Sequence, residues 1–451
     1  MKKLFGTDGI RGTANIYPLT IGMCSRLSEV LVKKFCNTNS SDNFVVIGKD
    51  TRASCDMFES ALAASLCSFG VNVKLLGVCP TPAVSIITNY CGANFGIMIS
   101  ASHNHFSDNG IKIFDGSGLK LDDHKEAEIE SMIADQSIVC EKAIAEKIGR
   151  VQHDCNHKLM SYYIDDIKSK FSFSKNDAEN LKLLVDSANG SFSKIASDIF
   201  ATFGFNVLPL HENPNGTNIN DRCGATNAHE ISSLVLKHNA DLGISFDGDG
   251  DRLIISDENG NILDGDHILA ALVELYKLKN TKIVSTIMAN CGLEEYLKTK
   301  NIQLVRTNVG DRYISDYMRK SNAAIGGESS GHIIIKEHAF TGDGLFAALK
   351  ILEYLLTQKK KGSEILGLFN KHQVVSKNVK ITDKSLISRT EVQMVIQESE
   401  KKLSGHGRLI VRPSGTEPLI RVSAEGCDEV ELHDIVNKIC ERITKSQKVE
   451  K

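Results

Sequence analysis

The stretch GIMISASHNHFSDNGIKIF (residues 96–114) begins as an apolar run of strand length and then changes abruptly into a polar segment. A short apolar run of this kind is typical of a strand that is buried in a mostly parallel sheet. The same change occurs in ADLGISFDGDGDR (240–252) and in AAIGGESSGHIII (323–335). The sequence therefore predicts three buried strands that each end in a polar loop.

Each of these strands is the last of three in a section of the chain that has the same organisation. Strand-like runs alternate with helix-period segments in every section, which indicates βαβ units and a mostly parallel sheet. The runs lie at 43–50, 71–78 and 95–102, at 181–190, 205–210 and 240–252, and at 282–292, 302–312 and 323–335. Crossover helices are expected at 57–70 and 193–204. Because open α/β sheets bind ligands beyond the carboxyl ends of their strands, the three loops are expected to face one cleft.

The C-terminal part of the chain has a different pattern. GRLIVRPSGTEPLIRVSAEG (407–426) predicts two strands joined by a polar turn, and EVELHDIVNKICERI (429–443) predicts an amphipathic helix. The polar segments 357–365 and 375–385 are expected to link this small unit to the rest. The predicted fold class is α/β, with three similar α/β domains of mostly parallel mixed sheets and a C-terminal α+β domain. The predicted boundaries are 1–155, 156–257, 258–370 and 371–451.

Composition excludes several classes of function. The 53 Lys and Arg nearly balance the 56 Asp and Glu, so a net charge of −3 offers no field for nucleic acid or an anionic membrane. The apolar runs are far shorter than the roughly 18 residues of a spanning helix, and MKKLFGTDGIRGT lacks the apolar region of a signal peptide. The 12 cysteines are scattered without a Cys-x-x-Cys pair, which predicts reduced, buried thiols. We expect a cytoplasmic protein with a small-molecule partner.

Three aspartates, Asp247, Asp249 and Asp251, alternate with glycine directly after the second of the buried strands. Two carboxylates about 4 Å apart repel by roughly 4 kcal/mol at an effective dielectric constant of about 20, so three that converge favour a bound cation. An all-oxygen ligand set favours Mg²⁺ or another hard ion. The alternative is a solvated turn whose carboxylates point apart. An EF-hand is excluded, because Arg252 occupies the position that must be glycine and the flanking segments predict strands.

Ser102 lies at the corresponding end of the first buried strand, and Lys112 follows ten residues later. A phosphorylated serine at this position would carry about −1.5 to −2 charges and three oxygens that a nearby cation could coordinate. The alternative is a serine that caps a turn.

Two further polar segments are candidates for ligand binding. GGESSGH (326–332) formally matches the Gly-x-Ser-x-Gly elbow of hydrolases, but an elbow requires a following helix and HIIIK predicts a strand. Glu328, Ser330 and His332 then either bind the hydroxyls of a polar ligand or are ordinary turn residues. RPSGTEPLIR (412–421) combines guanidinium groups, hydroxyls and open backbone N–H groups, which suits a phosphate dianion. The alternative is a hairpin loop with surface arginines.

Taken in order, five stretches resemble the α-D-phosphohexomutase superfamily: FGTDGIRG, ISASHNHFSDNGIK, FDGDGDR, GGESSGH and RPSGTEPLIR. The resemblance runs from residue 5 to about residue 440, and the opening MKKLFGTDGIRGTAN is most similar to the phosphoglucosamine mutase family. It implies four domains around a central cleft and the interconversion of glucosamine 6-phosphate and glucosamine 1-phosphate, which feeds UDP-N-acetylglucosamine and cell-wall synthesis. Glucosamine 1,6-bisphosphate is the implied intermediate and primer, and a homodimer is expected from the family alone.

The resemblance also implies roles for individual residues. It implies that Ser102 carries the transferable phosphoryl group and that one Mg²⁺ per chain is bound by Ser102, Asp247, Asp249 and Asp251. The implied groups for proton transfer and charge stabilisation are Arg11, His103, Lys112 and His332. The implied sugar ligands are Arg252, Glu328 and Ser330. The implied phosphate ligands are Arg412, Ser414, Gly415, Thr416 and Arg421.

Two positions depart from the family pattern. His105 stands where the family commonly has proline, which predicts a change in the rigidity of the Ser102 loop without loss of a catalytic group. Ser329 stands where phosphoglucosamine mutases usually have glutamine and the glucose and mannose enzymes often have methionine. A phosphoglucomutase or phosphomannomutase with the same mechanism is therefore the first alternative. A phosphosugar-binding protein without mutase activity is the second.

Overall fold

The computed structural model describes residues 3–6, 8–37, 40, 42–154, 158–414 and 418–448. The chain divides into two compact units. The first is formed by residues 1–288 and 301–368, and the second by residues 289–300 and 369–451.

The first sheet of the first unit has six strands. These are β1 (Ile10–Thr13), β2 (Phe44–Lys49), β3 (Asn72–Val78), β4 (Phe95–Ile99), β5 (Asp108–Asp115) and β6 (Val151–His153). They lie in the order β1-β5-β4-β2-β3-β6. The associated helices are α1 (Ile21–Phe35), α2 (Cys55–Ser68), α3 (Thr81–Tyr90) and α4 (Asp123–Ala134).

The second sheet, which also belongs to the first unit, has five strands. The helices of this section are α5 (Lys158–Ser169), α6 (Lys175–Glu179), α7 (Ile195–Thr202) and α8 (Ala228–His238). The strands are β7 (Lys182–Asp186), β8 (Asn206–Leu210), β9 (Leu242–Phe246), β10 (Leu253–Asp257) and β11 (Ile262–Leu263). Their order is β11-β10-β9-β7-β8.

The third sheet has four strands, β12 (Lys282–Thr286), β13 (Gln303–Thr307), β14 (Ile325–Gly327) and β15 (Ile333–Ile335), in the order β13-β12-β14-β15. The helices of this section are α9 (Gly265–Leu275), α10 (Cys291–Thr299), α11 (Asp311–Ser321), α12 (Gly344–Gln358) and α13 (Ser363–Leu366). Of these, α10 belongs to the second unit. Short 3₁₀ turns lie at Ala145–Lys147, Ala225–Asn227 and Lys384–Ser388.

The three sheets of the first unit follow one plan. Each has a parallel core, and the last strand of that core is followed by a strand that returns antiparallel beside it: β5 beside β4, β10 beside β9 and β15 beside β14. The connecting loops, residues 100–107, 247–252 and 328–332, are the three polar segments singled out in the sequence. The strands β9 and β10 flank residues 247–252, the acidic loop, where an EF-hand would have helices. The structure therefore also excludes an EF-hand. The predicted α/β fold class is confirmed.

A glycine at the second position of β4, β9 and β14 allows a helix to pack closely against each of these strands. The three residues are Gly96, Gly243 and Gly326. A Cβ atom built on them would approach side-chain atoms of α3, α8 and α11 to 2.1, 2.6 and 2.7 Å respectively. The repeated strand therefore has a repeated requirement for a residue without a side chain.

The second unit contains β16 (Gln373–Lys380), β17 (Gly407–Pro413) and β18 (Leu419–Gly426), with α14 (Thr390–Leu403) and α15 (Glu429–Lys448). The antiparallel order is β16-β18-β17, and both helices contact the sheet. The interpretation of 375–385 as a linker is wrong for its first part, because residues up to Lys380 form β16. Val375 and Val379 are buried and the polar residues between them, 376–378, are exposed, so one side of this strand packs on the core.

The eleven cysteines in the described part of the chain are free, and all except Cys427 are buried or half-buried. Within the same part, none of the helices combines the length and the apolar composition required to cross a membrane.

Substituting Gly243→Ala should lower the free energy of unfolding by about 1–3 kcal/mol, the usual cost of overpacking a core. The added methyl group would lie 2.6 Å from Ile231 Cγ1 and 2.7 Å from Val235 Cγ2. Gly367→Ala is the control, because its nearest contact would be an ordinary 3.7 Å. Urea unfolding followed by circular dichroism compares the variants, and an unchanged transition for Gly243→Ala would contradict this packing.

Candidate active site

Ser102 lies in the loop between β4 and β5 with a left-handed backbone φ of +53°, and its side chain is buried. A residue with a side chain adopts this conformation only where the surroundings hold it, and such residues are common at functional sites. The Ser102 hydroxyl donates a hydrogen bond of 2.6 Å to Asp247 Oδ2 and lies 3.2 Å from His103 Nδ1. The structure thus brings the serine loop (residues 100–107) of the first sheet against the acidic loop (residues 247–252) of the second sheet.

A buried arginine that the sequence analysis missed, Arg52, holds this loop in place. Its Nε donates to Asp50 Oδ2 at 2.8 Å, and the ion pair has no exposed side-chain surface. Its other four N–H groups donate at 2.5–2.9 Å to four backbone carbonyls, those of Ser102, Asn104, His105 and Asp108. All five guanidinium donors are therefore satisfied. The only sequence signal was a charged pair, GKDTRAS (48–54), directly after a buried strand.

The backbone N–H of Ser102 is held in the same way. It donates to Ser100 Oγ at 2.8 Å, and the Ser100 hydroxyl donates to Asp50 Oδ2 at 2.6 Å. The peptide groups on both sides of Ser102 are thus tied to the pair formed by Asp50 and Arg52. This network also supports the loop at His105, where the family commonly has proline.

The three aspartates of the acidic loop are buried, and one oxygen from each lies within 4.8 Å of the others. Burial, and then the charges of Asp251 and Asp249, raise the pKa of Asp247 to about 8. Among the described residues, Asp249 Oδ1 and Asp251 Oδ1 have no hydrogen-bond partner. Buried carboxylate oxygens without partners are costly unless a cation binds them. The cluster therefore fits a divalent metal ion with oxygen ligands.

Lys112 is the cation closest to the aspartate cluster. Its Nζ lies 2.6 Å from Asp249 Oδ2, 3.3 Å from Asp251 Oδ2 and 2.8 Å from Asp8 Oδ2. Burial alone would lower the pKa of Lys112, but the carboxylates of Asp249, Asp8 and Asp251 outweigh it and raise that pKa well above its ordinary value. The lysine is a fixed positive charge beside the acidic loop.

Asp8, which no pattern in the sequence indicated, forms ion pairs with three basic side chains. Its carboxylate lies 2.5 Å from Arg11 Nη2, 2.8 Å from Lys112 Nζ and 2.6 Å from Lys120 Nζ. Arg11 also donates to the carbonyl of Ala101 at 3.0 Å, next to Ser102. Asp8 lies within the stretch FGTDGIRG, where the family resemblance implies a role only for Arg11.

His332 brings the third loop to the same place. Its Nδ1 lies 3.6 Å from Asp251 Oδ1, and its Nε2 accepts a hydrogen bond from the Gly342 N–H at 3.1 Å. Burial lowers the pKa of His332, but the charges of Asp251 and Asp311 outweigh it and raise that pKa above the usual value. The serine loop, the acidic loop and the loop of the third sheet (residues 328–332) therefore converge within the first unit.

The remaining candidates of these loops are more open. Glu328 accepts the Gly310 N–H at 3.2 Å, and Ser330 is exposed with its hydroxyl 3.5 Å from Glu328 Oε2. The backbone N–H of Arg252 donates to Asp247 Oδ1 at 3.1 Å, while its guanidinium is partly exposed. Burial, and then the charges of Arg252 and Arg11, lower the pKa of His103 to about 4.

The phosphate-binding candidates lie in the second unit. Arg412 in β17 faces Arg421 in β18 across the ladder, and Ser414 is buried just after β17. Gly415 and Thr416 lie outside the described residues. Burial, and then the charge of Arg421, lower the pKa of Arg412. Two guanidinium groups held opposite each other form a suitable site for an anion.

A second group of metal-ligating residue types occurs at Asp186, His211 and Cys223. Both oxygens of Asp186 already accept backbone N–H groups, from Ala188 at 2.8 Å and from Gly224 at 2.7 Å. This carboxylate holds two loops together, in contrast to the unpartnered oxygens of Asp249 and Asp251.

Models of phosphoglucomutase/phosphomannomutase domains match most of the chain: domain I matches residues 2–138, domain II 161–260, domain III 264–372 and the C-terminal domain 372–442. A phosphoglucosamine mutase from Paracoccus denitrificans is 43% identical over 450 residues, covering 99% of each chain. Another from Carboxydothermus hydrogenoformans is 42% identical over 456 residues, covering 99% of this chain and 100% of its own. The chain belongs to the phosphoglucosamine mutase family.

Solved structures agree on the fold of this phosphoglucosamine mutase family member. A phosphoglucomutase/phosphomannomutase family protein from Burkholderia thailandensis is 21% identical and superposes with a TM-score of 0.81, covering 99% of this chain and 98% of its own. Aspergillus fumigatus N-acetylphosphoglucosamine mutase, in complex with GlcNAc-6P and magnesium, is 18% identical with a TM-score of 0.66 and coverages of 98% and 96%. The resemblance found in the sequence is confirmed, and the enzyme is an isomerase with phosphoglucosamine mutase activity.

Asp249→Asn should weaken the binding of a divalent cation by at least about tenfold, because it removes one charge and one unpartnered oxygen from the cluster. Asp56→Asn is the matched control, since the Asp56 side chain is 85% exposed. Calorimetric titration of each protein with Mn²⁺ gives the affinities. Equal affinities for Asp249→Asn and wild type would contradict this assignment of the cluster.

Proposed function

We propose that the mutase reaction proceeds through two phosphoryl transfers at one residue, Ser102. The observation that carries this proposal is the 2.6 Å hydrogen bond between Ser102 Oγ and Asp247 Oδ2. It places a hydroxyl nucleophile at a carboxylate cluster in which two oxygens, Asp249 Oδ1 and Asp251 Oδ1, lack a hydrogen-bond partner among the described residues. A serine that only caps a turn has no need of such a cluster.

The metal ligands in this proposal are Asp247, Asp249, Asp251 and a phosphate oxygen on Ser102, with one Mg²⁺ per chain. The all-oxygen donor set and the orphaned oxygens of Asp249 and Asp251 support this hard cation. When bound, Mg²⁺ offsets negative charge on the transferred group.

In the first transfer, the bond between phosphorus and Ser102 Oγ breaks while a free hydroxyl oxygen of the substrate forms a new bond to phosphorus. The substrate hydroxyl loses its proton, and the serine regains its own, so that glucosamine 1,6-bisphosphate is formed. After the sugar has reversed its orientation, Ser102 Oγ attacks the phosphorus of the other phosphate. The serine now loses its proton, and the oxygen released from the sugar takes one up.

The side chains around Ser102 have complementary parts in these transfers. Arg11 and Lys112 supply fixed positive charge, since carboxylates surround both of them. His103 and His332 are the proposed proton-transfer groups, and His103 Nδ1 already lies 3.2 Å from Ser102 Oγ. The more open side chains of Arg252, Glu328 and Ser330 are proposed to bind sugar hydroxyls.

The phosphate that is not being transferred is proposed to bind in the second unit. The cross-strand pair of Arg412 and Arg421, together with Ser414, supports this assignment. Gly415 and Thr416 enter the proposal from the sequence alone.

The cellular setting also belongs to the proposal. A phosphosugar is the proposed partner, and the free thiols of the described cysteines support a cytoplasmic location. A homodimer and a place in UDP-N-acetylglucosamine and cell-wall synthesis rest on the family.

Ser102→Ala should abolish turnover, because it removes the atom that carries the phosphoryl group. Ser107→Ala is the control, because Ser107 is an exposed serine of the same loop. Coupled assays with a trace of glucose 1,6-bisphosphate measure turnover, and thermal unfolding checks that both variants are folded. Wild-type turnover by a pure Ser102→Ala protein would exclude the proposed mechanism.

Glucosamine 6-phosphate should be turned over with a higher Mg²⁺-dependent kcat/KM than glucose 1-phosphate or mannose 1-phosphate. The relatives at 42–43% identity support the amino sugar, whereas Ser329 departs from the residue that the family pattern has at this position. A preference for glucose or mannose phosphate would keep the mechanism and change the substrate. Failure to turn over any of the three sugar phosphates would indicate a phosphosugar-binding protein without mutase activity.

A further inference from the structure

The carbonyl oxygen of Ser102 accepts hydrogen bonds from two separate parts of the first unit. Arg52 Nη2, from the segment after β2, donates at 2.8 Å. Asn220 Nδ2, from the loop between β8 and α8, donates at 2.9 Å and also lies 3.4 Å from the carbonyl of Asn104. Arg52 holds the serine loop to its own sheet, whereas Asn220 holds it to the sheet that carries the aspartates.

The loop that carries Asn220 is fixed against both sheets. The Asn220 N–H donates to the carbonyl of Ala188, just after β7, at 2.9 Å. On the other side, the N–H of Ala53 in the first sheet's section donates to the carbonyl of Gly216 at 2.9 Å. The Asn220 backbone has a left-handed φ of +57°, which points its amide at the serine loop.

The backbone of the acidic loop packs closely against the contact between Asn220 and the Ser102 carbonyl. A Cβ atom on Gly248, between Asp247 and Asp249, would lie 2.7 Å from Asn220 Nδ2 and 2.7 Å from the carbonyl oxygen of Ser102. The asparagine amide, the serine carbonyl and the backbone of the acidic loop therefore meet at one point. A side chain at position 248 would therefore displace the asparagine amide or the serine carbonyl.

Phosphorylation removes only one of the two hydrogen bonds that join Ser102 to the second sheet. In the described part of the chain these are the bond from the Ser102 hydroxyl to Asp247 and the bond from Asn220 to the Ser102 carbonyl. A phosphoserine has no hydroxyl hydrogen on Oγ, so the first bond is lost, and its negative oxygens repel a carboxylate. The bond from Asn220 involves only the backbone carbonyl, so it is unaffected by the state of the side chain.

We infer that Asn220 is a positioning residue that keeps the phosphoryl-carrying serine in register with the aspartate cluster in every state of the reaction cycle. This inference rests on the role proposed for Ser102. It adds a residue from a loop that no motif in the sequence marked.

Asn220→Gly tests the inference cleanly, because glycine adopts the left-handed conformation readily and the substitution removes only the amide. Asn220→Asp keeps the size of the side chain but replaces the donor with a carboxylate that faces the Ser102 carbonyl. Asn239→Gly is the matched control, since Asn239 is an exposed asparagine with φ +48° at the end of α8.

Both substitutions at Asn220 should lower kcat by about tenfold or more, because small displacements of a reacting group are costly to the rate. The KM for the sugar phosphate and the melting temperature should match those of Asn239→Gly. The rate at which glucose 1,6-bisphosphate phosphorylates the enzyme should fall in parallel with kcat.

Wild-type kcat in Asn220→Gly and Asn220→Asp would overturn the inference. A loss of kcat that only accompanies a lower melting temperature would overturn it as well, since it would indicate a structural role. Ser102→Ala is measured alongside. If that variant is active, the proposed function fails, whereas an inactive Ser102→Ala with fully active Asn220 variants refutes the positioning role alone.

Discussion

Three carboxylates buried at one point determine how the surrounding charges of the first unit are arranged. Like charges a few ångströms apart in a protein interior repel by several kcal/mol, so Asp247, Asp249 and Asp251 require compensation. Lys112 contacts two of them, and the same lysine is shared with Asp8. Asp8 in turn forms ion pairs with Arg11 and Lys120. Basic and acidic side chains therefore alternate from Arg11 and Lys120, through Asp8 and Lys112, to the three aspartates. Two carboxylate oxygens still lack a hydrogen-bond partner among the described residues, and a metal ion fits at this place.

The repeated sheet plan explains why the reactive groups come from three distant parts of the chain. In each sheet, a buried parallel strand is followed by an antiparallel return, so a loop leaves the sheet at the same position. The first loop presents Ser102, the second presents the aspartates and the third presents His332. One structural device, used three times, thus supplies the proposed nucleophile, the proposed cation-binding cluster and a proposed proton-transfer group.

The sequence was sufficient for the parts of this account that depend on local pattern. Apolar runs followed by polar loops predicted β4, β9 and β14, and the spacing of glycine and aspartate indicated the acidic cluster. Arg52, Asn220 and Asp8 could not be predicted in the same way, since most of their partners lie in other segments and a buried arginine has no distinct local pattern. The strand β16 was missed because its two buried valines are separated by polar residues, so its one apolar face was hidden in a polar segment.

The central claim is that Ser102 alone carries the transferable phosphoryl group. The most direct measurement is mass spectrometry of the intact enzyme and of its peptides after incubation with Mg²⁺ and glucosamine 1,6-bisphosphate. One phosphoryl group per chain is expected, located on the peptide that contains Ser102 and lost when excess glucosamine 6-phosphate is added. A phosphoryl group on another residue, or full turnover by an enzyme that never becomes phosphorylated, would contradict it.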